Sequence, residues 1–133
     1  MFEDVPESLR PLIDLMQHNG FEAVADDQGP FIFGDRRFRW MRHDLNVQVS
    51  LDRGRWFVDI MPPDSADWFG YGLEIIIDTL DDVERFTHLL TLRESTEILR
   101  NRLPEISALL SSPEGRDAVE DKHHERALRW FGA

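Results

Sequence analysis

The chain of 133 residues contains no cysteine, and none of its apolar runs is longer than the three residues of Ile75–Ile77. Without cysteine, disulfides, thiolate catalysis and cysteine-ligated metal sites are excluded. Runs this short cannot cross a bilayer, which requires about 20 mostly apolar residues in a helix. The first residues, Met1–Asp4, lack the basic and then apolar order of a secretory signal. These absences predict a cytoplasmic protein that does not bind membranes.

Positive charge is also scarce, because 15 lysines and arginines face 26 acidic residues, for a net charge of −11. The excess is uneven along the chain: residues 59–84 carry eight acids and no base, whereas residues 36–55 carry six arginines and two acids. An acidic protein repels phosphate backbones, so nucleic acid is not an expected partner. The same charge either steers the protein to a basic partner or only solubilises its surface.

What the chain does contain is a clear β-hairpin, in which residues 45–51 and 56–60 flank a two-residue turn, Arg53-Gly54. Six apolar residues pair outward from this turn: Leu51 with Trp56, Val49 with Val58, and Val47 with Ile60. All six share one face, since side chains alternate along a strand. A longer turn would mix the faces, so the pattern predicts the register, burial of these six residues and a positive φ at Gly54.

The segments before the hairpin predict one helix and further strands. A helix opens at Pro6, or near Ser8 with Pro11 in its first turn, and Gly20 ends it. Residues 21–25 form a short strand, residues 31–33 are short and apolar, and residues 36–42 alternate between aromatic and arginine side chains.

The segments after the hairpin predict a last strand and then helices. Leu73–Asp78 reads as a strand with Glu74 and Asp78 outward, and Asp81 reads as the N-cap of a helix. Helical periodicity continues to the C-terminus, with a break near residues 91–95, a kink or restart at Pro104 and a new helix at Ser112-Pro113 that docks through Val119, Leu128 and Phe131. Residues 1–133 are therefore predicted to form a single α+β domain: an antiparallel four- to six-stranded meander sheet with an N-terminal helix, and C-terminal helices covering one face.

Catalytic motifs are not found in the sequence. It contains no GxGxxG, P-loop, HExxH or GxSxG pattern, and no nucleophile lies near a base. The adjacent pair His123-His124 points about 100° apart on a helix and is not expected to chelate one ion. We therefore expect a non-enzymatic protein without cofactor or metal, and an enzyme whose acidic residues are remote from one another in the sequence is the remaining alternative.

Two constellations suggest binding instead. The first is the loop Asp64–Gly72, in which Asp64, Asp67, Trp68, Phe69 and Tyr71 combine acids with large aromatic rings. Rings of this kind anchor protein interfaces, and acids meet Arg or Lys of a partner. With Glu74 and Asp78 they are predicted to form a partner-binding patch. In the alternative, Trp68 and Phe69 fold back and cap the open end of the sheet.

The second constellation is an arginine cluster between Arg36 and Arg55. Its members are the six arginines Arg36, Arg37, Arg39, Arg42, Arg53 and Arg55. The cluster is a candidate site for a small anionic ligand, such as a phosphate or a carboxylate. Alternatively, these arginines pair with acids of the same chain and keep an edge strand from aggregating.

The helix–meander–helix layout, with Asp52–Asp59 at the hairpin and Asp67-Trp68-Phe69 after it, resembles the small acidic bacterial immunity proteins found beside polymorphic toxins. The resemblance covers residues 20–90 and consists of structural rather than catalytic motifs. It implies stoichiometric binding to a toxin domain. No binding residue of that group carries over, because its families bind through different surfaces.

Overall fold

A computed structural model describes residues 5–27, 36–65, 67–83 and 89–131. In these residues the sheet has five strands: β1 (Glu22–Asp27), β2 (Arg36–Met41), β3 (Asn46–Asp52), β4 (Arg55–Met61) and β5 (Tyr71–Gly72). Four helices accompany it: α1 (Arg10–His18), α2 (Leu73–Asp81), α3 (Leu92–Leu110) and α4 (Pro113–Phe131). A 3₁₀ turn, Glu7–Leu9, precedes α1, and Pro11 lies in the first turn of α1. The predicted apolar segment 31–33 lies outside the described residues.

The sheet is an antiparallel meander in the order β1-β2-β3-β4-β5, and the α+β prediction is confirmed. The β3–β4 hairpin has the predicted register, in which Leu51 pairs with Trp56 and Val47 with Ile60. Arg53 and Gly54 have φ of 53° and 82°, as a two-residue turn with left-handed residues requires. The predicted positive φ at Gly54 is thus confirmed.

One face of the sheet, the inner face, packs into the main core. Its fully or almost fully buried members are Phe38, Trp40, Val47, Val49, Val58 and Ile60. They share one apolar cluster with helical residues such as Leu12, Ile76 and Leu99. Two of the six residues predicted to be buried, Leu51 and Trp56, are only half-buried, because they lie at the turn end of the hairpin.

The opposite face, the outer face, is formed by cross-strand rows of mostly polar residues. One row joins Arg39, Gln48 and Asp59, and the next row joins Met41, Asn46 and Met61. The first row is half-buried, whereas Asn46 and Met61 are buried. The outer face is therefore covered in part, although no helical stripe was predicted for it.

The predicted strand over Leu73–Asp78 is wrong, because this segment is the first part of α2. Alternation over six residues does not exclude a helix that is apolar on several sides. Glu74 and Asp78 are four residues apart and so lie on the same side of the helix. Both side chains are buried, at 9% and 3% exposure, and not outward as predicted.

The helix predicted to start at Asp81 is also misplaced. Asp81 is the last residue of α2, and Asp82 ends that helix with a φ of 51°. The capping box lies instead at α3, where Thr91 accepts from the Glu94 N–H and Glu94 accepts from the Thr91 N–H. Its position agrees with the break predicted near residues 91–95.

The C-terminal helices follow the remaining expectations in part. Pro104 lies inside a continuous α3, so the helix does not restart there. The Ser112 hydroxyl accepts from the Gly115 N–H at 3.0 Å, which confirms the predicted helix start. Val119 is buried as predicted, but Leu128 is 54% exposed and does not dock, and the side chain of Phe131 lies outside the described part. No helix within the described ranges is long and apolar enough to cross a membrane.

Candidate functional site

Residues 62–65 and 67–70, here called the aromatic loop, lie over the outer face near Asn46 of β3 and the end of β4. The Asn46 side-chain amide donates to the Pro63 carbonyl at 3.4 Å. At Gly70 the loop lies so close to β4 that an added Cβ would be 2.5 Å from the Ile60 carbonyl oxygen. The loop therefore needs glycine here, and it covers the buried Asn46 and Met61.

The loop is held by its own hydrogen bonds around Asp67. The Phe69 N–H donates to Asp67 Oδ1 at 3.3 Å, which forms a side-chain turn. The Ser65 hydroxyl lies 3.3 Å from the same oxygen and 3.0 Å from the Phe69 carbonyl. This network fixes the direction in which Phe69 leaves the loop.

The two adjacent aromatic residues of the loop point to different environments. Trp68, with a left-handed φ of 55°, is half-buried, and its ring lies 4.9 Å from the Arg39 guanidinium carbon. Arg39 is held in turn by Gln48, to which its Nε donates at 2.8 Å. Phe69 is 66% exposed. Trp68 thus covers part of the outer face, whereas Phe69 is presented to solvent, so the two rings do not fold back together as the alternative interpretation held.

Phe69 continues into a row of rings that the sequence did not reveal. Its ring centroid lies 6.3 Å from that of Tyr71, which lies 5.3 Å from the exposed ring of His123 on α4. Asp64, near the start of the loop, is exposed and lies 3.9 Å from Arg116 of α4. Tyr71 and His123 are 52 positions apart, so only the tertiary structure brings them together.

We call Asp64, Asp67, Phe69, Tyr71 and His123 the acidic-aromatic patch. Asp64 and Asp67 are both exposed, and the Asp67 carboxylate accepts from the backbone N–H of the exposed Phe69. Four of the seven residues predicted to bind a partner are thereby placed on one surface. Trp68 lies behind this surface and supports it.

Glu74 and Asp78 do not belong to the patch, and this part of the predicted site is corrected. The Glu74 carboxylate faces inward and accepts from the Leu90 N–H at 3.0 Å, which joins α2 to the segment before α3. The outward orientation was inferred from a strand, and the helix places both carboxylates on its buried side.

The buried Glu74 also affects Asp59 of β4. Its burial, reinforced by the nearby Glu74 carboxylate, raises the pKa of Asp59 to about 6. A charged carboxylate in this position is poorly solvated, so its ionisation opposes folding. Among the described residues, no three histidine or acidic side chains converge in a metal-binding arrangement.

The arginine cluster is dispersed by the fold. Arg36 is bound in bidentate fashion by Asp26, with both contacts at 3.1 Å. Arg42 is held by Asp44 at 2.6 and 2.8 Å and also donates to the Asn19 carbonyl. The hydrogen bond from Arg42, with another from Ser107, lowers the pKa of Asp44 to about 2. These two arginines are paired within the chain, as the alternative interpretation held.

The other arginines of the cluster do not converge with them. Arg37 and Arg39 lie on the outer face, whereas Arg36 lies on the inner face, where it is the cross-strand neighbour of Leu51. Arg53 and Arg55 are exposed at the hairpin turn. The structure thus gives no common anion pocket to the six arginines within its described part.

No protein-family model matches the chain, and no curated protein or solved structure shows significant similarity to it. The acidic-aromatic patch must therefore be interpreted from its own chemistry. Its components are a projecting ring, two exposed carboxylates and a fixed backbone. They provide an anchor for apolar contact and acceptors for positively charged groups.

Proposed function

We propose that this protein is a non-enzymatic binding protein that masks a basic protein partner through the acidic-aromatic patch. The observation that carries the proposal is the 66% exposure of Phe69 on a loop fixed by the Asp67 turn. The Phe69 ring is not isolated, because it continues into the Tyr71 and His123 rings, and contiguous exposed rings mark interaction sites more often than single apolar side chains do. Masking of a toxin domain, which the resemblance to immunity proteins implies, is the specific form of this function.

The geometry supports binding in two ways. The hydrogen bonds of Ser65 and Asp67 order the loop before binding, so less conformational entropy is lost on association. Asp67 remains exposed and accessible to lysine or arginine side chains, and Asp64, which is 74% exposed, has only a long 3.9 Å contact with Arg116 that a partner's basic side chain can replace. The net charge of −11 adds long-range attraction for a basic partner.

The test is kinetic binding to a partner identified by crosslinking or by gene neighbourhood. Replacing Asp64→Asn together with Asp67→Asn should lower the association rate about tenfold at low salt, and less as salt screens the field. Asn at 67 keeps an oxygen for the Phe69 N–H, so the loop should keep its shape. The matched control, Asp14→Asn with Asp52→Asn, makes the same charge change at exposed positions outside the patch.

Phe69→Ala should mainly raise the dissociation rate, by about 30-fold, because a central aromatic anchor contributes about 2 kcal/mol or more. Leu128→Ala is its control, since Leu128 is also exposed and lies outside the patch. If the loop variants bind the partner like wild type while their stability is unchanged, the loop only covers the sheet. The masking function would then be rejected for this surface.

A further inference from the structure

The two edges of the sheet are protected to different degrees. The register of β1 shifts between Ala23 and Ala25, and the strand carries acids at Glu22 and Asp26. A bulge and charges of this kind discourage pairing with another strand. At the other edge, β5 pairs only with Asp59 and Ile60 of β4. In the described part of the chain, the edge of β4 over residues 55–58 therefore has no neighbouring strand.

The hairpin register shows which backbone groups face this edge. Asp52 and Arg55 flank a two-residue turn and form a hydrogen-bonded pair. Hydrogen bonding alternates along an antiparallel strand, so Phe57 and Asp59 also bond to β3. The N–H and C=O groups of Trp56 and Val58 must then point away from β3. They are spaced at the two-residue repeat of an extended chain.

An apolar cleft runs beside the same edge. It has a volume of about 420 Å³ and is lined by Arg55, Trp56 and residues 89–92. Leu89 is 38% exposed there, and Trp56 is half-buried. Arg55 is exposed at the cleft and forms no ion pair with the described acids. The cleft thus combines apolar walls with a positive charge.

We propose that an extended segment of a protein partner adds a strand to β4 at Trp56 and Val58. An apolar side chain of that segment enters the cleft, and a flanking carboxylate pairs with Arg55. Backbone hydrogen bonds provide the attachment, and alternate side chains provide selectivity, as in other cases of strand addition. The charge complementarity favours an acidic and apolar segment. This surface lies at the turn end of β4, whereas the acidic-aromatic patch lies beyond its other end, so it does not depend on the proposed masking function.

The first test is amide hydrogen exchange in the free protein, followed by NMR. The Trp56 and Val58 amides should exchange fast, whereas those of Phe57 and Asp59, bonded to β3, should be slow and act as internal controls. Slow exchange at Trp56 and Val58 in the free monomer would mean that the chain covers its own edge. Protection that rises with protein concentration would mean that a second copy occupies it. Either result overturns the proposal.

The second test uses a set of acetylated and amidated hexapeptides, with leucine or valine at alternate positions and glutamate or aspartate between them. Binding peptides should slow exchange at Trp56 and Val58 and shift the resonances of Leu89. N-methylation at the bonding positions should abolish binding, because it removes the backbone donors. If no peptide of the set binds at millimolar concentration, the proposal is wrong.

Charge reversal supplies a matched pair of variants. Arg55→Glu should weaken the best acidic peptide about tenfold, the effect of losing one charge-assisted hydrogen bond. Arg53→Glu makes the same net change at the neighbouring exposed turn position, which does not line the cleft. It should leave affinity nearly unchanged. Equal weakening by both variants would show non-specific attraction and would contradict a seated carboxylate at Arg55.

Discussion

The inner and outer faces of the sheet are buried by different means. The inner face has completely buried rings and branched side chains, such as Phe38, Trp40 and Val49, packed against helices. The outer face has the row Arg39, Gln48 and Asp59, half-covered by a loop through a cation–π contact and hydrogen bonds. Apolar packing provides most of the stability of a domain, whereas partly buried polar groups contribute little to it. The inner face should therefore govern stability, and the outer face should tolerate or even favour substitution.

The largest expected effect concerns two tryptophans of the inner face. Trp40→Ala should lower the free energy of unfolding by about 4 kcal/mol, because the ring is fully buried. Trp56→Ala should cost about 2 kcal/mol, since this ring is only half-buried at the turn end. Urea unfolding of both variants gives the two values. Equal losses of unfolding free energy would show that the degree of burial does not determine the cost of substitution on this face.

On the outer face, Asp59→Asn should stabilise the protein at pH 7. The native pKa of Asp59 is raised from 3.8 to about 6, so the folded state holds its proton more tightly than the unfolded state. The free energy of unfolding should therefore fall as pH rises from about 4 to 6 and level off above that. A pKa difference of one unit corresponds to about 1.4 kcal/mol, so the ionised Asp59 lowers the free energy of unfolding by at most about 3 kcal/mol.

Denaturant unfolding of Asp59→Asn across pH 4–8 measures this effect. At pH 7 the variant should be more stable than the wild type by up to about 3 kcal/mol. Its free energy of unfolding should also no longer fall between pH 4 and 6. Asp52→Asn, an exposed carboxylate of the same hairpin, serves as control and should keep the decline. An unaltered pH profile in Asp59→Asn would place the responsible group elsewhere.

The smallest expected effect concerns the contact between Arg39 on the outer face and the Trp68 ring that lies over it. Arg39→Met keeps a long side chain but removes the charge over Trp68, and it should cost about 0.5–1 kcal/mol. Fluorine NMR of fluorotryptophan-labelled protein should show the Trp68 signal moving toward that of a solvated ring. Arg37→Met, two residues along the same face, is the control. A loss of several kcal/mol in Arg39→Met would mean that the outer face is as important for stability as the inner face.

The sequence predicted those parts of the fold in which two independent patterns agree. In the β3–β4 hairpin, alternation on both strands and a turn glycine specify one register. In residues 73–78 a single short alternation was available, and it fitted both a strand and a helix buried on several sides. The spacing of Glu74 and Asp78 by four residues puts them on one side of a strand as well as of a helix, so it does not distinguish the two. The overlooked signal was the spacing of Thr91 and Glu94, which marks a capping box.

The candidate site was predicted only where it is local in sequence. Asp64, Asp67 and Phe69 lie within six positions, so their composition alone identified the loop. The opposite orientations of Trp68 and Phe69 depend on Arg39, a strand partner that local patterns do not indicate. His123 joins the patch only because α4 packs beside β5, a long-range contact that no spacing in the sequence encodes.

The meander order also has a consequence for how the chain folds. Each strand pairs with the strand next to it in sequence, so the contacts that form the sheet are local. By contrast, Ser107 of α3 contacts Asp44 across 63 positions. Local contacts form sooner than distant ones, because less loop entropy is lost. We therefore expect the sheet to assemble during synthesis, before α3 and α4 have left the ribosome. Since His123 belongs to α4, the acidic-aromatic patch becomes complete only after α4 has been synthesised and has packed beside β5.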